Sequence, residues 1–318
     1  MLQLLPTESV SPPKVSKKEI LIDGNPTTLA CAEINGQTYT IESKFIKIAR
    51  LEDESYEDMV DPAAAIDGLI KCKPKPDIFT FLQRLPNVEP RYNYHTEWDS
   101  IAVLPISTFD HWWTKQIKDK TRNMVRKGKK AGVDIREASY DDDFVQGMTE
   151  IFNETPIRQG RRFWHYGKDF DTVKKQFSQF IFREELFGAY LENELVGFAM
   201  LANAGRYAIL GQIISKLEHR DKAINNGLIA TCIERCASKH LPYLVYANWD
   251  ENSLSDFKRH CGFERVKLPR YFIPLTLKGS IALKVGLHRD WRNSLPRNLR
   301  ETLKRLRALC WKYLGNGG

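Results

Sequence analysis

The chain has 318 residues, 42% hydrophobic and 28% charged, a length that allows a large buried core and a balance ordinary for a soluble globular protein. No apolar run reaches about 18 residues, which excludes a membrane-spanning helix, and the start at Met1 lacks the basic and apolar regions of a cleaved signal. A net charge of +8 calls for an anionic partner: nucleic acid, phosphates or a membrane surface. The six cysteines form no C-x-x-C pair, which excludes a zinc spacing and a disulfide framework and points to reduced thiols in the cytoplasm.

Residues 1–17, with three prolines, read as a flexible arm. Strand-like runs follow at 19–23, 28–32 and 37–41, and Asn35-Gly36 between the last two is a strong hairpin signal. A short helix is expected over 59–69, and buried strands over 77–82 and 100–104. Residues 109–131 read as one amphipathic helix. Its apolar face carries Phe109, Trp113, Ile117, Met124 and Gly128, and its basic stripe Lys115, Lys118, Arg122, Arg126 and Lys129. A strand at 133–137 precedes helices at 141–153 and 172–183. Strands at 186–191, 195–201 and 207–214, a helix at 221–239, a strand at 243–247 and a helix at 253–261 complete an α/β pattern. The tail at 296–314 is a second basic amphipathic helix, with Leu299, Leu303 and Leu306 on its apolar side. The implied division is an arm at 1–17, a strand-rich half-domain at 18–106, an α/β domain at 107–277 and a basic tail at 278–318.

The order of elements from Leu195 to Phe263, with Asn248 ending a strand and Gly262-Phe263 closing the next helix, resembles the second half of the GNAT acyltransferase fold. The resemblance implies an α/β (α+β) fold, a mixed sheet with flanking helices, preceded by an abbreviated, degenerate GNAT-like half. It also implies acyl transfer to a nucleophile. GNAT enzymes bind the pyrophosphate of acyl-CoA on the backbone of an Arg/Gln-x-x-Gly-x-Gly/Ala turn. Here that register holds Arg220, Lys222, Ala223 and Asn225, with side chains where the glycines stand, and Gln212 and Ile214 lie on the strand before it. An acyl-CoA such as acetyl-CoA is therefore one expected donor, on a turn where side chains crowd the phosphates.

Three further segments are similar to the FemAB-like aminoacyltransferases: Phe257-Lys258 before Gly262, Arg122 to Val133, and Glu154-Thr-Pro-Ile-Arg158-Gln-Gly. That group moves an amino acid from aminoacyl-tRNA onto the amine of a peptidoglycan precursor. The likeness spans about residues 98–275 and adds tRNA as a donor and a cell-envelope or polysaccharide amine as acceptor. It implies that Asn248 orients a substrate and Lys258 neutralises charge. Tyr246 and Tyr271 are candidates for proton handling, with Glu154 and Asp250 as possible bases. Arg158, Arg161 and Arg162 among Trp164 and Tyr166 suit phosphate or sugar recognition, because guanidinium forks pair with phosphates and aromatic faces stack on rings. No histidines pair at metal-ligand spacing, so no metal is expected. The basic stripe also fits a non-catalytic RNA- or polyanion-binding protein, and the tail at 296–314 fits peripheral contact with an anionic inner leaflet.

Overall fold

A computed structural model describes residues 13–22, 25–43, 45–179, 181–249 and 253–289. The expected tail helix at 296–314 and Asp250 lie outside the described residues. The N-terminal half opens with an antiparallel meander of β1 (Lys14–Ile22), β2 (Asn25–Ile34), β3 (Gln37–Ser43) and β4 (Lys47–Leu51). Asn35 and Gly36 turn the β2–β3 hairpin at φ 48° and 75°, the left-handed pair that a two-residue hairpin needs. β1 begins at Lys14, inside the span read as an arm.

Helix α1 (Pro62–Lys71) starts where Asp61 accepts the Ala63 and Ala64 N–H groups and Pro62 fits the first turn. It lies so close to β2 that a Cβ at Gly68 would sit 2.6 Å from the Ile34 side chain. Strands β5 (Ile78–Leu82) and β6 (His95–Pro105) follow.

The expected helix over 109–131 is broken. It comprises α2 (Phe109–His111), a π turn (Trp112–Gln116) and α3 (Asp119–Lys130). Ile117 between them is extended, at φ −111° and ψ 151°. Arg122 holds the break by donating to the Trp113 and Ile117 carbonyls at 2.7 and 2.8 Å. The buried face therefore runs through Trp112, Ile117, Thr121 and Gly128, and Trp112 donates its indole N–H to the Cys261 carbonyl at 2.9 Å.

Next come β7 (Val133–Ala138), α4 (Asp142–Asn153), and a two-residue hairpin of β8 (Ile157–Arg158) and β9 (Arg161–Arg162). Helix α5 (Phe170–Ser178) stops short of the expected 183. β10 (Glu184–Leu191), β11 (Glu194–Asn203) and β12 (Ala208–Ser215) form a meander, followed by α6 (Ile224–Ser238), which starts after a 3₁₀ turn at Arg220–Lys222. β13 (Tyr243–Asn248), α7 (Ser253–His260), β14 (Glu264–Pro274) and α8 (Leu277–Lys284) are the last elements among the described residues. Sequence reading missed β4, β14 and α8. β14 in particular hides behind Glu264, Arg265, Lys267 and Pro269, which do not read as a strand.

Among the described residues a twelve-stranded sheet runs β1-β2-β3-β4-β5-β14-β6-β13-β12-β11-β10-β7. β14 lies between β5 and β6 and so stitches the two ends of the sequence together. Helices α3, α6 and α7 cover one face, over a core that includes Trp112, Leu228, Cys232, Leu244 and Phe263. Helices α4 and α5 cover the other, over Phe152, Leu186, Phe198 and Met200. β11 is buried on both faces, which is why Leu195 to Ala202 reads as a continuous apolar run. Segment 52–58 is drawn down on the α4/α5 side by Arg183–Asp53 (2.6 Å) and by Arg270, which donates to Glu54 at 2.9 and 3.0 Å.

Candidate active site

β12 and β13 are parallel neighbours only at Ala208↔Leu244 and Ile209↔Val245; beyond these pairs they part. Both strands are irregular at the parting. In the β11–β12 ladder Met200 faces Gln212 and Leu201 faces Leu210, which leaves Gly211 bulged out. In the β13–β6 ladder Val245 faces Val103 and Asn248 faces Ile101, so Tyr246 and Ala247 oppose Ala102 alone, with Ala247 at φ 46°. Such bulges interrupt the ladder and re-aim backbone groups, and they concentrate beside active sites.

Lys258 holds the β13 irregularity in place. It is 1% exposed, and its ammonium donates to the Tyr246 and Asn248 carbonyls at 2.8 Å each. It also lies 4.4 Å from the Tyr246 ring centre, so three of the residues singled out in sequence meet at one point. Burial holds the Tyr246 phenol far above its ordinary pKa, so it keeps its proton at neutral pH. The Asn248 side chain is exposed at the mouth. Tyr271 is not brought to this point. It is buried in the N-terminal core, donates to Gln83 at 2.8 Å and accepts from the Arg91 N–H at 2.8 Å.

Across the gap, Gln212 makes a 3.4 Å contact with Nε2 of His165. His165 is wholly buried, stacked on Phe152 at 4.1 Å, and burial lowers its pKa to about 3. It is therefore a neutral ring that positions Gln212. Ile214 is buried against α4 and α5. Sequence reading missed Glu184, whose Oε1 would lie 3.5 Å from a Cβ placed on Gly211. Its Oε2 is shut off from solvent with no hydrogen-bond partner. Burial raises this carboxyl to about 7. The period of two through Leu186 and Tyr190 is the sequence signal that puts Glu184 on the α4/α5 face.

The turn into α6 is already occupied by the protein's own groups. The Glu154 carboxylate accepts the Leu217 and Glu218 N–H groups at 2.8 and 2.9 Å, as an anionic ligand would. Ala223 stands at φ 53°, the left-handed conformation that favours glycine, and carries its methyl group there. Its N–H donates to Arg220 at 3.3 Å, and the buried Oδ1 of Asn225 has no partner. Lys222 leans on His219 at 3.3 Å, while Arg220 is exposed.

Arg158 does not reach outward. Its guanidinium donates to Ser215, Ile151 and Glu154 at 2.9, 3.0 and 2.8 Å and so fastens the β12 end to α4. Arg161, Arg162, Trp164 (53% exposed) and Tyr166 remain on the exposed hairpin and the loop after it, with Lys168 4.2 Å from the Trp164 ring. Among the described residues no group of His, Cys, Asp and Glu is arranged to hold a metal ion, and no helix is long and apolar enough to cross a membrane.

Residues 145–263 match the family model described as the acetyltransferase (GNAT) family. No curated protein matches the chain. Among solved structures, FemX is similar at a TM-score of 0.53 and 12% identity, over 86% of this chain and 91% of that one. L-PGS from Bacillus licheniformis is similar at 0.52 and 12%, over 80% and 83%. A C-terminal domain of the lysylphosphatidylglycerol synthetase type from Agrobacterium fabrum is similar at 0.52 and 10%, over 78% and 84%.

Proposed function

We propose that this chain, whose residues 145–263 match the acetyltransferase (GNAT) family model and whose fold is similar to that of FemX, transfers an aminoacyl group from an ester donor to an amine of a cell-envelope or polysaccharide precursor. The observation that carries the reading is the gap between β12 and β13, with a bulge on each strand. A bulge at Gly211 turns backbone toward the gap, where an N–H can polarise an acyl carbonyl in a water-poor site. Lys258 keeps the opposite wall open by holding the Tyr246 and Asn248 carbonyls, and acts as a positioning residue. Tyr246, which retains its proton, is suited to give one to the leaving oxygen. Asn248 orients the substrate at the mouth. Arg161, Arg162, Trp164 and Tyr166 grip an acceptor that carries phosphate or sugar.

The turn into α6 favours an ester donor over acyl-CoA. A pyrophosphate needs open backbone N–H groups and a close approach. Here Glu154 takes two N–H groups, and Ala223 and Asn225 bring side chains to positions where glycine would leave the backbone open. Calorimetry with acetyl-CoA is expected to show no saturable binding that survives moderate salt. Salt-tolerant binding at micromolar concentration would return acyl-CoA to the donor's place.

A further inference from the structure

We propose that Glu184 is the general base of this transfer, taking a proton from the acceptor nitrogen as it attacks an acyl carbonyl held at Gly211. The inference rests on the acyl-transfer reading and deepens it. Glu184 opens β10, where it pairs with Ala202, and its carboxylate lies beside the bulge of β12. The next residue, Glu185, points to the other face and is neutralised by Arg235 and Lys239 at 3.3 and 2.6 Å. Among the described residues Glu184 has no such partner. A buried carboxylate oxygen without a hydrogen bond is a costly arrangement, and a native structure keeps one where it has a use.

The groups that face Glu184 leave it uncompensated. Tyr56 comes from segment 52–58 and Tyr140 precedes α4; burial raises both phenols, so both are neutral. Arg183 adjoins it in sequence, but that guanidinium is committed to Asp53 at 2.6 Å and lies over the Tyr56 ring at 4.6 Å. His165, reached through Gln212, is neutral. A carboxylate in this setting titrates near neutrality, where a base both accepts a proton readily and is present in its charged form.

The lone pair of the neutral amine forms the C–N bond, and the proton shed by nitrogen passes to Glu184. The C–O bond to the donor breaks with its electron pair on oxygen. That oxygen leaves as a hydroxyl with the Tyr246 proton, and the proton on Glu184 returns to the tyrosinate through solvent, which restores both groups.

The test uses the full chain, a pool of tRNA charged with radiolabelled amino acids, and a lysine-containing UDP-muramyl pentapeptide as acceptor. Glu184→Gln should lower kcat by about 100-fold or more. It should leave donor binding intact and abolish the acid limb expected of the unaltered chain, with its midpoint near 7. Glu185→Gln, on the opposite face, should keep the unaltered rate. A melt of Glu184→Gln confirms that it folds. If Glu184→Gln turns over at the unaltered rate with the acid limb in place, the base assignment is wrong while the acyl-transfer reading stands. If the unaltered chain itself transfers nothing, the acyl-transfer reading fails and takes the base assignment with it.

Discussion

Lys258→Ala is expected to destabilise the protein by about 3 kcal/mol and to abolish transfer, because it removes a buried stem and leaves two carbonyls without their donor. Lys258 is 1% exposed, and its ammonium is shared between the Tyr246 and Asn248 carbonyls. Lys258→Met separates the two losses. It keeps most of the buried volume and removes only the charge and its hydrogen bonds, so it should cost about 1–3 kcal/mol. With the β13 bulge no longer held, its transfer rate should fall at least about tenfold, even at a temperature where it is fully folded. Urea titration and initial rates on the same preparation check both. A methionine variant as stable and as active as the unaltered chain would show that the β13 geometry needs no lysine.

Arg270→Met should be the more damaging change to stability. Arg270, on β14, lies between Glu54, at 2.9 and 3.0 Å, and Asp99, at 2.7 Å. Those two anions raise the guanidinium pKa against the opposing cost of burial. Removing it strands two partly buried carboxylates, an effect on the order of 3–5 kcal/mol. The same change loosens segment 52–58, which carries Tyr56 toward Glu184. Water then reaches Glu184, and the acid limb of the rate profile should move down from about 7 toward the ordinary carboxylate range. Denaturant melts and the pH–rate profile read the two effects separately. An unchanged profile in a destabilised variant would mean that segment 52–58 does not control the carboxyl.

Glu184 also leaves a mark on stability against pH. Its folded pKa is raised, so the protonated form is the one the fold prefers. The penalty is absent below about 4.5 and grows as pH rises toward 7. Glu184→Gln should therefore melt higher than the unaltered chain at pH 8, with the gain vanishing near pH 4. A variant that gains stability while losing turnover is the behaviour of a functional group kept at a cost. Equal melting temperatures at pH 8 would argue that the carboxylate is better solvated than its surroundings imply.

Much of the fold was legible because local chemistry and tertiary position agree. Asn35-Gly36 turned where a hairpin was expected, and Asp61 and Asp141 cap helices that the apolar spacing announces. The order from Leu195 to Phe263 lies within the span that matches the acetyltransferase (GNAT) family model, and Lys258 does meet the Tyr246 and Asn248 carbonyls. What was illegible depends on distant partners. The helix over 109–131 breaks because Arg122 folds back on two carbonyls and Trp112 reaches Cys261. Arg158 reads as a cation free to bind a phosphate, yet Glu154, one turn away, and the carbonyls of Ile151 and Ser215 use its donors. Glu184 sits in the charged run Arg183-Glu184-Glu185, between the helix expected to end at 183 and the strand expected to start at 186. Its burial comes in part from residues 52–58, more than a hundred positions earlier, and no local pattern can announce that.

The most direct test of the account is transfer itself. The purified chain is supplied with tRNA charged with radiolabelled amino acids or, in parallel, with acetyl-CoA, each with the UDP-muramyl pentapeptide as acceptor. Label moving from tRNA to the acceptor in proportion to enzyme, with none moving from acetyl-CoA, is the predicted result. Acetyl transfer in place of aminoacyl transfer would contradict the donor assignment. No transfer from either donor would contradict the catalytic reading and leave a polyanion-binding protein on a GNAT scaffold.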